Sequence, residues 1–180
     1  MTLHGHLLVA GPTLLDPNFR RSVVLVGEHG RDGAMGVVLD RPSLVTVAEA
    51  VPPLASLAGG EEVVHVGGPV EPQAVVVLAR FAEPHRAARL VVGDVGFLPA
   101  ELDDAEALGQ LLDVRVYAGY AGWAPDQLES ELEEGSWVVL EARPEDVFTA
   151  TPERLWRAVL RREGGARAVL ASLSDDPRAN

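Results

Sequence analysis

The sequence predicts an α+β fold built on a mixed or antiparallel sheet, in a single domain that spans residues 1–173. Strand patterns arrive in consecutive groups with helical patterns between the groups, whereas a doubly wound parallel sheet needs strands and helices that alternate one for one. A hydrophobic content of 47% with 23% charged residues is ordinary for a globular protein. A chain of 180 residues buries about 70% of the surface of its unfolded form, so we expect one substantial core. Residues 174–180 are expected to form a flexible tail.

A hairpin of two apolar strands is the central element of the N-terminal part. The strands are Ser22–Glu28 and Ala34–Leu39, and the segment between them, His29–Gly33, carries the glycines and the aspartate that a tight turn with positive φ requires. A shorter strand, Gly5–Ala10, precedes the hairpin and leads into a corner of turn residues. Pro42 is predicted to end the second hairpin strand, because proline cannot donate to a ladder.

The middle of the chain is predicted to mix short helices with strands. Gln73–Phe81 is a near-continuous apolar run, which is typical of a strand buried on both faces. Glu101–Leu112 carries leucines at helical spacing, so we expect a helix there, weakened at Gly109 by about 1 kcal/mol relative to alanine. The other predicted elements are a helix at Thr46–Val51, a helical turn at Leu54–Ala58, strands at Glu62–Val66 and Arg89–Val92, and a loop over Gly93–Pro99.

The C-terminal third is predicted to contain two strands and three helices. Thr151-Pro152-Glu153 has the cap residue, first-turn proline and acid that begin a helix, and Gly164-Gly165 ends it. The helix Pro125–Glu134 likewise begins with proline and aspartate at the positive end of its dipole. The remaining predicted elements are strands at Val114–Tyr117 and Ser136–Glu141 and a last short helix at Ala166–Leu173.

The composition excludes several classes of chemistry. The chain has no cysteine, and all 15 basic residues are arginine, so disulfides, thiolate catalysis, Schiff bases and the P-loop lysine are absent. The net charge of -12 argues against direct contact with nucleic acid, since only the segment Arg154–Arg167 clusters arginines. No run of about 18 apolar residues and no basic N-terminal leader is present, so we expect a cytoplasmic protein without a membrane association.

Four separated segments resemble the YqgE/AlgH family of bacterial proteins: GHLLVAGPTLLDPNFRRSVVLVGEHGRDGAMGVVLDRP, VHVGGPV, YAGYAGWAPDQLESELEEGSWVV and DVFTATPERLWRAVL. The resemblance implies a mixed sheet that is partly closed into a small barrel and surrounded by helices. It also implies a cytoplasmic protein without an established biochemical activity, although some members carry the label of transcriptional regulator. The matching positions are Pro12, Asp16, Phe19, Arg20, Gly36, Arg41, Pro42, Gly67, Gly68, Pro69, Gly119, Gly122, Trp123, Gln127 and Leu128. The chain departs from the family at Asp40, where asparagine is usual, and at Asp126, where glycine is usual.

No familiar enzyme motif is present, since the chain lacks a GxSxG elbow, an HExxH pair and a glycine-rich nucleotide fingerprint. His4 and His6 share one face of a strand but sit at the chain terminus, so we expect no metal site and no cofactor. His65, in an apolar strand, is predicted to be a core histidine with satisfied hydrogen bonds. Glu28 and His29 could perform acid/base work, but a hairpin tip is open to water.

The sequence favours a binding or regulatory module over an enzyme. Three glycine-bearing strand ends could converge on one rim, with arginines as a fork for carboxylate or phosphate and a tryptophan as an aromatic wall. The predicted ligand-binding residues are Arg20, Arg41, Gly67, Gly68, Gly122 and Trp123. The expected ligand is a small anionic metabolite or an acidic peptide of a protein partner. An alternative is that both arginines brace turn carbonyls or the neighbouring Asp16 and Asp40. Two further alternatives are an enzyme that acts on a small anionic substrate at this rim and a regulator that binds nucleic acid directly. The oligomeric state is not predicted.

Overall fold

The computed structural model describes residues 2–100 and 105–172. Its main feature is a large, mostly antiparallel sheet with helices around it, which confirms the predicted α+β class. The strands are β1 (His6–Ala10), β2 (Val23–Gly30), β3 (Gly33–Val38), β4 (Pro42–Thr46), β5 (Val63–Val66), β6 (Val70–Phe81), β7 (Arg89–Val92), β8 (Val95–Phe97), β9 (Leu111–Trp123) and β10 (Trp137–Glu141). The helices are α1 (Val47–Ala50), α2 (Ala55–Ala58), α3 (Gln127–Glu133), α4 (Pro144–Val147), α5 (Leu155–Glu163) and α6 (Gly165–Leu170). Single 3₁₀ turns lie at Pro52–Leu54, Pro84–Arg86, Ala105–Leu108 and Pro152–Arg154.

The strand order is β10-β1-β2-β3-β9-β6-β8-β7, with β4 and β5 as a branch. β9 joins the parts of the sheet, because it pairs antiparallel with β3 and β6 and parallel with β5. The parallel pair makes the sheet mixed. The sheet remains open within the described residues but curls strongly. A Cβ atom added at Gly5, just before β1, would lie 2.6 Å from the carbonyl oxygen of Val91 in β7.

The core follows from the apolar runs of the sequence. The main cluster fills the space between β1, β2, β3, β10 and α5, and Leu7, Leu8, Val23, Val24 and Leu160 are all fully buried in it. A smaller cluster lies under α1 and α2 and contains Val47, Leu54, Val64, Val77 and Val116. The Thr46 side chain accepts a hydrogen bond from the Glu49 N–H at 3.3 Å, and Glu49 accepts one from the Thr46 N–H at 2.9 Å, which closes a capping box on α1.

Four predicted elements differ in the structure. The predicted strand Val114–Tyr117 is part of the much longer β9, which continues to Trp123. Pro42 does not end a strand but begins β4, and this is allowed because β4 pairs with β5 alone within the described residues and so lies at an edge. The predicted loop Gly93–Pro99 contains β8. In the predicted helix Glu101–Leu112, residues 105–108 form a 3₁₀ turn and Leu111 already belongs to β9; Gly109 stands between them with φ of 63°. Residues 101–104 and the predicted tail 174–180 lie outside the described residues.

Candidate functional site

Two neighbouring cavities share one wall on the side of the sheet where β3 passes into β4. The larger cavity, of about 640 Å³, is lined mainly by proline and valine, and we call it the proline groove. The smaller cavity, of about 230 Å³, is lined by four arginines and Trp156, and we call it the arginine pocket. The side chains common to both are Asp40, Arg41 and Glu153. The proline groove is further lined by Pro17, Asn18, Val38, Pro42, Val66, Gly68, Pro69 and Pro72, and the arginine pocket by Arg20, Arg21 and Arg157.

The corner that carries Arg20 folds as its turn residues predict. The Asn18 N–H donates to the Asp16 carboxylate at 2.8 Å, and the N–H groups of Phe19 and Arg20 both donate to the Asp16 carbonyl. Arg41 reaches across from the end of the hairpin and donates from Nη2 to the Arg20 carbonyl at 2.5 Å. This bond is the contact expected if Arg41 braces a turn carbonyl instead of binding a ligand. An arginine has five N–H donors, so the same guanidinium can still bind a carboxylate or phosphate in the cavities that it lines.

Asp40 is a buried carboxyl group in the wall between the two cavities. Only 7% of the residue is exposed, and its Oδ1 accepts a hydrogen bond from the Val23 N–H at 3.0 Å. Burial away from water raises the pKa of Asp40 to about 6, against the opposing effects of the Val23 hydrogen bond and the Arg41 charge. The carboxyl group therefore changes its charge close to neutral pH, at a point where a ligand would touch it.

The arginine pocket is held by contacts with aromatic and backbone groups. The Arg21 guanidinium lies 5.0 Å from the centroid of the Trp156 ring, within the range of a cation–π interaction. The Trp156 indole N–H donates to the Ala10 carbonyl at 3.0 Å, which fixes the ring against β1. Arg157 Nη1 donates to the Ala171 carbonyl at 3.2 Å. The pocket thus concentrates positive charge in a chain whose net charge is -12.

Gly67 and Gly68 lie where the backbone passes close to β9. A Cβ atom at Gly67 would lie 2.3 Å from the Gly119 carbonyl oxygen, and one at Gly68 would lie 2.1 Å from the Tyr120 carbonyl carbon. Gly68 also has φ of 151°, which side chains rarely adopt. The two glycines therefore allow another strand, and not a ligand, to approach the backbone. Of the two, only Gly68 also lines the proline groove.

Trp123 and Gly122 lie apart from the two cavities. Trp123 is 6% exposed and packs against Phe19 and Trp137, with ring centroids 6.3 and 6.0 Å away. The indole N–H groups of Trp123 and Trp137 both donate to one oxygen of Glu131, at 2.9 and 2.8 Å. Trp123 therefore belongs to an aromatic cluster that anchors α3. Of the six predicted residues, the structure brings Arg20, Arg41 and Gly68 to the cavities and leaves Gly67, Gly122 and Trp123 outside their walls.

His65 is buried as predicted but is not satisfied. It is 2% exposed, and neither ring nitrogen has a hydrogen-bond partner among the described residues. Burial, helped by the nearby Arg115 charge, lowers the pKa of His65 to about 4, so the ring is neutral. The ring packs 5.6 Å from the Tyr117 ring, and burial raises the pKa of Tyr117 far above its usual range.

The other histidines and the arginine-rich helix make local contacts. His29 Nδ1 accepts the Leu3 N–H at 3.0 Å and its Nε2 donates to Glu129 at 2.8 Å, which lowers the pKa of Glu129. His4 contacts the Gly27 carbonyl through Nδ1 at 2.7 Å. Within the part of the chain that is described, no three histidine, aspartate or glutamate side chains are grouped to hold a metal ion. On α5, Arg162 pairs with the buried Asp146 at 2.8 Å and so braces α4.

Five residues line the cavities although they were not among the predicted site residues: Pro17, Asn18, Asp40, Pro72 and Glu153. Their signal in the sequence is the recurrence of proline next to polar residues in four separated corners, at positions 16–18, 40–42, 71–73 and 151–153. These corners come together only in the tertiary structure.

The comparisons with known proteins agree on one family. The sequence profile of the AlgH-like family, DUF179, matches residues 7–168. The chain belongs to the AlgH-like family. A UPF0301 protein of Streptomyces coelicolor, SCO2948, is 47% identical over 188 residues, covering 99% of this chain and 96% of that one. A UPF0301 protein of Mycobacterium tuberculosis strain H37Ra is 41% identical over 179 residues, covering 93% and 86%. These names state no activity.

Solved structures carry the same AlgH-like fold. The crystal structure of DIP2367 from Corynebacterium diphtheriae matches with a TM-score of 0.86 and 29% identity, over 94% of this chain and 92% of that chain. The solution structure of AlgH from Pseudomonas aeruginosa matches with a TM-score of 0.74 and 30% identity, over 98% and 96%. The predicted resemblance to the YqgE/AlgH family is thereby confirmed. No helix in the described ranges has the length and apolar character needed to cross a membrane.

Proposed function

We propose that this AlgH-like protein is a non-enzymatic binding module whose proline groove and arginine pocket together receive an anionic ligand with an apolar body. The observation that supports this most directly is the shared wall of Asp40, Arg41 and Glu153, which joins an apolar cavity to a basic one. An apolar ligand body gains about 25 cal/mol per Å² of buried surface in the groove, while arginine binds the acidic group at one end. Neither cavity alone would select a molecule that has both an apolar body and an acidic group.

Arg41 is the residue that this proposal needs most. It lines both cavities, and the hydrogen bond from its guanidinium to the Arg20 carbonyl holds the group in place without neutralising its charge. The Asp40 carboxyl group beside it titrates with a pKa of about 6. Its charge repels an anion above that pH, so affinity should be greater at pH 5.5 than at pH 8.

The test is a thermal-shift screen of the full chain against aliphatic and aromatic carboxylates and phosphates, with the matching neutral amides and alcohols as controls. A ligand at 100 times its dissociation constant adds about 2.7 kcal/mol of stability, which is readily measured. Calorimetry should then show binding lost in Arg41→Ala and retained in the control Arg89→Ala, whose arginine pairs with Glu28 at another site. If Arg41→Ala mainly lowers the melting temperature and leaves affinity unchanged, Arg41 is structural and the proposal is wrong.

A second candidate, an enzyme acting on a small anionic substrate, is favoured by Asp40 alone. A buried carboxyl group whose pKa is close to the working pH and that faces a cavity has the properties of a general base. Turnover of a ligand found in the screen, abolished in Asp40→Asn while binding persists, would select this candidate.

A further inference from the structure

The apolar surface does not end at the wall of the proline groove. Val66, which lines the groove, is 48% exposed, and Leu44, which follows Pro42 at the two-residue repeat of a strand face, is 99% exposed. Leu44 is two residues beyond Pro42 of the groove wall, a distance of roughly 7 Å along a strand. A small molecule that fills the groove would leave these aliphatic side chains in water. The surface has the length of several residues of an extended chain.

We propose that the occupant of this surface is an extended segment of a partner protein in which an aliphatic side chain stands a few residues from acidic side chains. This inference rests on the proposed function and specifies its ligand. The aliphatic side chain enters the proline groove, the acidic side chains lie in the arginine pocket, and a further apolar residue covers Leu44.

Charge complementarity favours an acidic partner at this place. The arginine pocket gathers Arg20, Arg21, Arg41 and Arg157 against the acids Asp40 and Glu153, whereas the chain as a whole carries a net charge of -12. An acidic segment is repelled by most of the protein and attracted here, which fixes where the segment binds and in which direction it runs.

The partner binds through side chains and not by adding a strand to β4. The Val45 N–H donates to Ser43 Oγ at 3.1 Å, and Ser43 Oγ donates to the Val45 carbonyl at 3.4 Å. The pairing of β4 with β5 also shifts register between Pro42 and Thr46. Both backbone groups of Val45 are therefore already bonded, and the irregular middle of β4 is a poor template for strand addition.

The test selects peptides from a random 12-residue library displayed on phage, using the full chain as bait, and measures the enriched peptides by fluorescence anisotropy. Three results would support the inference. The enriched peptides combine an aliphatic residue with acids, and their binding weakens as salt rises from about 50 to about 300 mM. Arg41→Ala lowers their affinity at least about tenfold. Leu44→Ser should weaken peptide binding about threefold or more, while the small anions of the thermal-shift screen bind it as they bind the wild type. The nearly complete exposure of Leu44 means that this variant folds normally.

The outcomes separate the two proposals. If small organic anions bind but no acidic–aliphatic peptide is enriched, or if Leu44→Ser leaves peptide affinity unchanged, the partner inference is wrong and the proposed function stands. If neither peptides nor anions bind, both are wrong. A dimer in sedimentation analysis that dissociates in Leu44→Ser would identify a second copy of this chain as the occupant and overturn the inference.

Discussion

Asp40 should make the free energy of unfolding depend on pH, and the substitution Asp40→Asn should remove this dependence. The folded protein holds the Asp40 proton up to a pKa of about 6, whereas the unfolded chain releases it near the ordinary value of 3.8. Between these values the folded state binds more protons than the unfolded state, so stability falls as pH rises. The contribution is complete below pH 3.8 and is lost once the pH passes the folded pKa of about 6. Asp40→Asn removes it.

The magnitude follows from the shift. About two pKa units correspond to about 3 kcal/mol, and Asp40, at 7% exposed, has little solvent screening to reduce the effect. The stability of Asp40→Asn minus that of the wild type should therefore increase by about 2–3 kcal/mol between pH 3.5 and pH 7. The asparagine Oδ1 can still accept the Val23 N–H, so the hydrogen bond at the end of the hairpin is kept.

The measurement is urea unfolding at half-unit steps of pH, followed by tryptophan fluorescence. His65 acts in the opposite direction, because its pKa of about 4 in the folded state lies below its ordinary value of 6.5. Its contribution is present above pH 6.5 and is lost as the pH falls to 4. The wild type should therefore show a nearly flat profile from these two groups, and Asp40→Asn should show stability that climbs with pH.

The difference between the two proteins isolates Asp40, because His65 and the surface acids are present in both. Glu153→Gln, at the rim of the same cavities, is the matched control and should leave the pH profile of the wild type nearly unchanged. Parallel profiles for Asp40→Asn and the wild type would mean that Asp40 is not desolvated, and the electrostatic description of the site would then be refuted.

Three further substitutions test contacts that hold the fold together. Glu131→Ala removes the acceptor of two indole N–H groups and should lower the free energy of unfolding by about 2–4 kcal/mol in urea titrations, with Glu131→Gln retaining part of it. Gly68→Ala places a Cβ atom 2.1 Å from Tyr120 backbone at a φ of 151°, so little soluble protein should be recovered, whereas Gly135→Ala, which meets nothing within 4 Å, should cost about 1 kcal/mol through its φ of 76°. Arg162→Ala leaves Asp146, 6% exposed, without its partner and should cost about 3–5 kcal/mol, and a loss below 1 kcal/mol would contradict the buried ion pair.

The parts of the fold that were predictable are those that local chemistry determines. The hairpin β2–β3, the strand β6 and the helices α3 and α5 follow from apolar runs, turn glycines and helix-starting prolines, and each lies within a few residues of its predicted range. Two predicted details are wrong: the first half of β6 is largely exposed or half-buried, and neither Asp126 nor Thr151 caps its helix through a side-chain hydrogen bond. The errors fall where tertiary contacts override a local pattern. The leucines of Glu101–Leu112 have helical spacing, but Leu111 and Leu112 extend β9, which pairs with β6 over much of its length.

The sequence marked candidate site residues but did not show which of them line a cavity. The resemblance to a family marked Arg20, Arg41, Gly68 and Trp123 alike, and nothing in the sequence separates a position that packs the fold from one that faces a cavity. Trp123 has its indole N–H satisfied by Glu131, eight residues further along the chain, and this distance spans a turn and a helix. Asp40 shows the converse, because the sequence marks it only as a departure from the asparagine that is usual in the family. Its burial, the resulting pKa and its place between two cavities arise from β2, β4 and α5 meeting at one corner, so its position in the candidate site follows from the tertiary structure and from no local motif.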